Sequence, residues 1–367
     1  MSTRKDKFTK KDRLYMNLAF NLARERDGLT GDNPSVGCVI VKNDQIISTG
    51  QTGYNGRPHA EFNAIKSCKK KLEGSTIYIS LEPCTHYGKT PPCTKLIIRS
   101  KIKKVIFSIL DINTITGGKS FKILRNKKII VKSGLLKNEG DTIYKSYKLN
   151  RLLNMPYVTG KLAVSNDNFI YSKKKIKITN KHSNNITHLL RYKNDAILIS
   201  SKTLNTDNPK LNCRINGLKN FSPKRIILDR NLNISKKSYI YLTTNNRNTI
   251  IFYNNASKQK TRLLKKKGFK LVKIPVNKNN LFDLKILLKT IFSLGCKNLL
   301  VEGGKNLTNS FINNKLFNEF YLFKSPMNLG SSGKVDVSRQ LHQLSFKYKN
   351  KHNINSHTGN DIIKIYS

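Results

Sequence analysis

His59-Ala60-Glu61, Pro83-Cys84 and Pro92-Cys93 supply one imidazole, two thiols and a carboxylate, the residue types needed to strip an amino group from a pyrimidine-like ring with water. A zinc ion held by His59, Cys84 and Cys93, with its fourth position open, lowers the pKa of bound water toward neutrality. Glu61, two residues past the imidazole, is placed to take that proton and return it to the ring nitrogen and departing amine without binding the metal. The two thiols are separated by eight residues, Thr85 to Pro92, rather than by the short C-x-x-C spacing of many zinc deaminases. His86 lies in that stretch. As a fourth ligand it would close the position water needs, so it reads as a contact to substrate or to a metal ligand.

The competing readings are a structural zinc site or unremarkable cysteines. Six cysteines in 367 residues suit a reducing compartment. Cys38, in VGCVIV, and Cys68, in a helix, read as small core residues. Cys84 and Cys93 differ from them, since they sit in a segment rich in Pro, Gly and Thr directly after a strand. Glu61 speaks against a structural site, which has no use for an acid/base partner.

The elements that must position these groups follow from periodicity. Leu14, Leu18, Ala19 and Leu22 recur at helical spacing and predict a first helix over 11–26. Residues 36–41 read as a buried strand, Asn43-Asp44 as a turn and 46–49 as the hairpin partner. Asn33-Pro34, just ahead of that strand, is either an ordinary turn or a side chain placed to read a ring's polar edge. His59 begins the next helix, 75–81 is a strand, Pro91-Pro92-Cys93 opens a helix through Ile98, and 104–110 is another strand. Both thiols are thus expected at or near helix starts, where backbone N–H groups favour thiolate. The result is a three-layer α/β unit over about residues 1–148, followed by a helical stretch over 137–153.

Met155-Pro156 marks entry into a second unit, 152–367. Strands are expected at 157–164, 196–200, 225–228, 250–253, 270–274 and 298–301, with helices at 186–192 and 282–294 between some of them. Alternation of this kind implies a mostly parallel sheet. Residues 320–323 and 355–366 are expected as antiparallel edge strands. Val301-Glu302-Gly303-Gly304-Lys305-Asn306-Leu307 follows a strand and precedes a helix, an arrangement that lets the backbone approach a phosphate, although many structural turns look alike. Ser200 to Thr203, Thr206 to Pro209 and Arg214 form a polar cluster that is either a ligand face or a capped surface loop.

With 69 Lys plus Arg against 21 Asp plus Glu, the formal net charge is +48. Such a balance ordinarily points to nucleic acid or an anionic surface. Here lysine is spread from end to end together with Asn and Ile, as in Lys173-Lys174-Lys175 and Lys265-Lys266-Lys267, which reads as compositional drift on solvated faces. Phosphorylated small molecules would still gain from it. No apolar run is long enough to span a membrane, and MSTRKDKFTKKDRLYMN lacks a secretory core, so a cytoplasmic enzyme is expected.

Residues 11 to about 145 resemble the deaminase half of the bifunctional riboflavin-biosynthesis deaminase/reductase family, within the cytidine deaminase-like superfamily. The resemblance rests on NPSVGCVIV from Asn33, HAE from His59 and EPCTHYGKTPPC from Glu82. It implies zinc at His59, Cys84 and Cys93, proton transfer by Glu61, and substrate contacts from Asn33, His86 and the 82–90 segment. The family's D-P-N-P appears only as Asp111-Ile112-Asn113-Thr114.

The second unit resembles the same family's reductase domain, a dihydrofolate reductase-like α/β fold that uses NADPH. Lys161, Ala163, Ser165 and Asp167 match its first strand and loop, Ala196 through Arg214 match its second motif, and Val301 to Gly304 match its V-E-G-G. The resemblance implies cofactor contacts from Ala163, Lys177, Thr203, Asp207, Gly303, Gly304, Lys305, Asn306 and Leu307. It implies substrate contacts from Arg191, Leu211, Arg214 and Glu302, and a late loop at Ser325-Pro326 and Gly330 that closes on the cofactor. Departures cluster in one place. Asp167-Asn168-Phe169 replaces Asp-Gly-Arg, and a Gly-rich segment ending in Ser-x-Trp is shortened, leaving Lys177 at the Trp position. Nearby lysines stand in as point charges, with poorer geometry than Arg.

The implied activity is zinc-dependent deamination of a phosphoribosylated diaminopyrimidinone, then NADPH-dependent reduction of its ribosyl group to ribityl. Three alternatives are a nucleic-acid base deaminase, a non-catalytic zinc module, and a deaminase carrying a degenerate reductase. The long insertion between the thiols and a whole second domain disfavour the first. A homo-oligomer, a dimer above all, is expected through the reductase sheet edge.

Overall fold

A computed structural model describes residues 8–88, 90–113, 117–174, 176–245, 248–354 and 358–367. Lys89, Thr114, Lys175 and Asn355, named above, and the first seven residues lie outside them. The chain divides into two compact units, Met1–Asn154 and Met155–Ser367.

In the first unit the elements run α1 (Lys10–Glu25), β1 (Gly37–Lys42), β2 (Gln45–Gln51), α2 (Ala60–Ser67), β3 (Thr76–Leu81), α3 (Cys93–Arg99), β4 (Lys104–Ile109), α4 (Lys119–Arg125), β5 (Ile130–Ser133), α5 (Lys137–Ile143) and α6 (Lys145–Leu153). The sheet order is β2-β1-β3-β4-β5, with β1 antiparallel to β2 and β3, and β3, β4 and β5 mutually parallel. Strand alternation fills two cores. Cys38 and Ile40 pack with Ala60, Ala64 and Ile97 on one face, while Val39 and Val41 pack with Met16, Ala19, Phe20 and Leu135 on the other. This is the three-layer arrangement the residue patterns imply.

Two features of this unit go beyond the sequence pattern. Helix α1 does not bury the stripe through Leu14, which is 64% exposed; its buried face is Tyr15, Met16, Ala19, Phe20 and Ala23. The two stripes are adjacent on the helix, and the one holding the aromatics buries more apolar surface. Its start is fixed by Thr9, whose hydroxyl accepts the Asp12 N–H while the Asp12 carboxylate accepts the Thr9 N–H, a reciprocal cap that stabilises by about 1 kcal/mol. Strand β5 was not foreseen, because its four residues alternate too briefly to stand out.

The second unit contains β6 (Tyr157–Val164), β7 (Phe169–Ser172), α7 (Lys181–Tyr192), β8 (Ala196–Ser200), α8 (Ser201–Asp207), β9 (Lys224–Leu228), α9 (Tyr239–Thr243), β10 (Thr249–Tyr253), α10 (Lys258–Lys267), β11 (Lys270–Lys273), α11 (Leu284–Ser293), β12 (Asn298–Val301), α12 (Lys305–Asn313), β13 (Glu319–Lys324), β14 (Gly333–Asp336), α13 (Ser338–Lys347), β15 (Lys351–Ile354) and β16 (Ile362–Tyr366). Its nine-stranded sheet has the order β11-β10-β9-β8-β12-β6-β13-β16-β15. One face is covered by residues of α11, α12 and α13, the other by residues of α7 to α10.

The strand over 320–323 is not an edge. It is β13, paired parallel with β6 and antiparallel with β16, and its Phe320 and Phe323 are buried. An apolar strand flanked by two neighbours hides both faces, whereas the polar β15, Lys-His-Asn-Ile, forms the rim. Strands β7 and β14 form a separate antiparallel pair.

Candidate active sites

Close approach of α2 to the sheet brings the first chemical group into place. A Cβ at Gly50 on β2 would lie 2.3 Å from the Ala60 carbonyl oxygen, so only glycine lets the helix sit there. The Asn63 amide donates to the Gln51 carbonyl (2.8 Å) and the Ser48 hydroxyl to that of Ala64 (2.6 Å). His59 is the residue capping α2, and Cys93 is the first residue of α3. Cys84 is near a helix start rather than on one. It lies in the loop after β3, and the N–H at the start of α3 comes to it instead, donating from Cys93 to Cys84 Sγ at 3.3 Å.

The His59 Nδ1 is 3.6 Å from Cys84 Sγ and 3.4 Å from Cys93 Sγ, and all three atoms lie within 4.8 Å of one another. A tetrahedral zinc with bonds of about 2.0 Å to nitrogen and about 2.3 Å to sulfur requires N···S separations of about 3.5 Å, so this donor set fits the ion in chemistry and spacing. The Cys93 thiol, followed by the His59 ring and the Cys93 backbone N–H, holds the Cys84 thiol down at about 4. Conversely, its hydrogen bond with Cys84 and burial push the Cys93 thiol well up. A divalent cation takes both sulfurs as thiolates, so metal and protons compete for this pair. Glu61 is buried on the first turn of α2, and burial pushes its carboxyl up to about 7 against the pull of the His59 ring.

Asn33 donates from Nδ2 to the Gly56 carbonyl at 2.9 Å, and both it and His86 are half-buried. Glu82 turns out to be a brace rather than a free contact. Its carboxylate accepts from the N–H groups of Asp111 (3.1 Å), Gly118 (2.9 Å) and Ser120 (3.1 Å) and from the Ser120 hydroxyl (2.6 Å). It thereby ties the loop after β4 to the strand end that delivers Cys84. The sequence offered no signal for this, since Glu82 reads only as part of a motif. Arg57, also not singled out, donates to Thr90 Oγ1 at 2.6 Å and reaches over Gly88.

In the second unit a cleft gathers residues far apart in sequence. Ala163, Thr203, Asp207, Leu211, Glu302, Gly303 and Gly304 line it, joined by Lys161, Ile170 and Tyr171, which the sequence reading did not assign. A Cβ at Gly304 would stand 3.5 Å from Thr203 Oγ1 and 4.0 Å from the Tyr171 hydroxyl, so a bare backbone faces the cleft there, ahead of α12. This is the cradle a nucleotide phosphate needs. Lys305 and Asn306 occupy the first turn of α12, while the Leu307 side chain is buried in the core. Lys177 is exposed and does not line the cleft.

Behind the cleft Arg191 grips Glu302 with two parallel bonds, Nε to Oε1 at 2.8 Å and Nη2 to Oε2 at 2.9 Å. Arg191 Nη1 also donates to the Asn212 carbonyl (3.3 Å), against which His188 Nδ1 sits at 3.2 Å. Burial, then the charges of Arg191 and Arg214, depress the His188 pKa to about 4. Arg214 itself is exposed, with Nη1 donating to Asn212 Oδ1 at 2.9 Å. Lys161 is lowered by burial and partly restored by Glu302. Lys161 and Ala163 are two apart on β6, so strand periodicity alone could have paired the lysine with the cleft.

The Asp167-Asn168-Phe169 departure has a structural account. Asn168 takes φ 66°, a left-handed turn position that favours glycine and that Asn tolerates best among other residues. Asp167 accepts from Ser165 Oγ (2.6 Å) and from the N–H groups of Leu329 (3.1 Å) and Gly330 (2.7 Å), pinning the late loop. Phe169 lies against Gly333, where a Cβ would be 2.4 Å from its ring.

An imidazole and two thiols with an adjacent buried carboxylate, on a three-layer α/β sheet, define a zinc-dependent deaminase, and the second unit's glycine-lined cleft on a mostly parallel sheet defines a reductase domain. Residues 9–109 match the family model for the cytidine and deoxycytidylate deaminase zinc-binding region, and residues 156–363 match that for the RibD C-terminal domain. The chain is 34% identical to the riboflavin biosynthesis protein RibD of Aquifex aeolicus over 97% of its own length and 98% of the relative's. It is 33% identical to that of Buchnera aphidicola, with 88% and 89% covered. Among solved structures it superposes on Acinetobacter baumannii RibD with a TM-score of 0.81 at 28% identity, covering 97% and 98%. It also superposes on a deaminase/reductase of Thermotoga maritima with a TM-score of 0.82 at 28% identity over the same shares.

The chain belongs to the RibD family of riboflavin-biosynthesis proteins. It is a bifunctional deaminase and reductase whose cofactors are zinc and NADPH. No described helix is long and apolar enough to cross a membrane.

Proposed function

We propose that the first unit deaminates 2,5-diamino-6-(5-phosphoribosylamino)pyrimidin-4(3H)-one. The second unit then reduces the ribosyl group of the resulting 5-amino-6-(5-phosphoribosylamino)uracil to ribityl. The observation that carries this reading is the three ligand atoms within 4.8 Å of one another with buried Glu61 on the adjoining helical turn. Zinc, when bound, supplies the Lewis acidity that makes water nucleophilic at neutral pH. Glu61 takes a proton from that water and returns it to the ring nitrogen and the leaving amine, so that a carbon–oxygen bond forms, the carbon–nitrogen bond breaks and ammonia departs. Asn33 and His86 orient the ring, and the Glu82 brace holds the loop after β4 in place.

In the second unit NADPH supplies hydride to the sugar carbon. Thr203, Asp207 and the Gly303-Gly304 turn hold the nucleotide, and the first turn of α12, with Lys305 and Asn306, favours its phosphate charge. Arg191 acts by fixing Glu302, since its fork is already engaged, and exposed Arg214 is the cation available to the substrate phosphate. Lys177 approaches the cofactor only from the rim. Leu211 packs against the substrate from the cleft wall. A reductase half retained only for assembly is the competing reading, prompted by Phe169 and Lys177. The glycine-like turn at Asn168 and the gathered cleft residues support the active one.

The enzyme is cytoplasmic in this reading, has no nucleic-acid partner, and dimerises through a free edge of the reductase sheet such as β15. Replacing Glu61 by Gln should leave zinc content intact and cut ammonia release by about 10²- to 10⁴-fold. Near-normal turnover in the zinc-loaded variant would sink the assignment.

A further inference from the structure

Lys177 is exposed and off the cleft. An aromatic side chain stands in the cleft wall. Tyr171, on β7, lines it beside Thr203, Asp207 and Gly304. Its hydroxyl donates to Asp207 Oδ2 at 2.8 Å and stands 4.0 Å from where a Cβ of Gly304 would be. The ring is thus held by a hydrogen bond at its tip and by the strand at its base.

That strand is itself anchored. Tyr171 pairs with Lys334 of β14, the Lys173 N–H donates to the Ser332 carbonyl at 2.8 Å, and Asp167, just before β7, accepts the Leu329 and Gly330 N–H groups. A two-stranded ribbon on its own is marginal, and these ties give the ring a fixed address. A fixed, half-buried phenol offers a flat apolar face at small entropic cost, which is what a planar ring ligand stacks on.

We propose that Tyr171 is a cofactor-binding residue that supplies, from β7, an aromatic face for a planar ring of the nucleotide, with Asp207 fixing its ring. The proposal rests on the reading of this cleft as the NADPH site. It also gives Asp207 a second task beside holding the nucleotide, since its carboxylate accepts the Tyr171 hydroxyl and so orients the ring. Substrate recognition by Arg214 and Glu302 is separate from it.

The test uses the full-length protein, with NADPH binding read from its own fluorescence and the Michaelis constants for NADPH and the pyrimidine measured separately. Tyr171→Ala should weaken NADPH binding about tenfold, the scale of one lost ring-stacking contact. Tyr171→Phe, which keeps the ring, should weaken it about threefold or less. The pyrimidine Michaelis constant should change less than that for NADPH, and ammonia release, which belongs to the first unit, should not change. Where alanine lowers the melting temperature, Tyr171→Leu retains bulk without the aromatic face and should reproduce the tenfold loss. Unchanged NADPH affinity in both the Ala and Leu variants would overturn the proposal, and tighter binding would overturn it by showing that the ring obstructs the cleft. Gly304→Val separates the two levels of the argument. If it blocks NADPH while Tyr171→Ala does not, the Tyr171 assignment alone fails; if neither affects binding, the cleft is not the NADPH site and both fail.

Discussion

The two sites differ in how much chain it takes to build them. The zinc-ligand set spans residues 59 to 93 and is held by one loop and two helix starts, whereas the reductase cleft draws on residues from 161 to 304 carried by three strands, one helix and two loops. The first site's chemistry demands particular atoms at fixed spacing. The second, in which the cofactor brings the reactivity, needs mainly shape, bare backbone and a few charges. A local site tolerates little substitution but is insulated from distant change, while a dispersed one can draw its surfaces from many elements.

This contrast can be broken at several points, beginning with the largest effect. Cys93→Ala removes one of three ligands, so zinc content should collapse and ammonia release should fall at least about a thousandfold, several kcal/mol of lost transition-state stabilisation. Metal analysis and an ammonia assay check this, and NADPH binding should persist. Arg191→Ala leaves the largely buried Glu302 without its bidentate partner, with Lys161 the stronger of the charges that remain. Removing one partner of a buried pair costs about 3–5 kcal/mol, and the remaining lysine argues for the lower end, so the urea midpoint of the second unit should drop correspondingly.

A smaller effect is expected from pH. Burial depresses the folded-state pKa of His188 to about 4 from its ordinary 6.5, so its stabilising contribution is complete above about pH 6.5 and is lost as pH falls through about 4. His188→Gln should flatten that part of the pH–stability curve, and an unchanged curve would show that the ring titrates alike in the folded and unfolded chains. The smallest change is Asn168→Gly. Gaining conformational freedom in the unfolded chain while losing the 3.1 Å bond from Asn168 Nδ2 to Ser338 Oγ should cost no more than about 1 kcal/mol and leave NADPH oxidation intact. A large loss of NADPH oxidation would mean that the amide, and not only the turn, matters.

Much of the architecture was readable before any coordinates. Strands over 157–164, 196–200 and 298–301 appear with those bounds, because β-branched runs bracketed by turn residues leave little ambiguity. The buried stripe of α1 was harder, since two neighbouring stripes fit the same spacing and only tertiary packing chooses between them. The edge assignment of 320–323 failed for a related reason: pairing partners on either side of a strand leave no trace in its own residues beyond apolarity. His59, Cys84 and Cys93 announced themselves by type and spacing. Tyr171 and the carboxylate of Glu82 did not, because their significance lies in what they touch across the fold.

Asn168 has counterparts. Among the described residues with positive φ that are not glycine, Asn43, Asn55, Asn154, Asn208 and Asn280 adopt the same backbone state. Asparagine is the side chain that pays least for that geometry after glycine. A chain rich in this amide can thus reverse direction at many places without glycine, each hairpin and helix end keeping its course while the side chain stays free to bond across the bend.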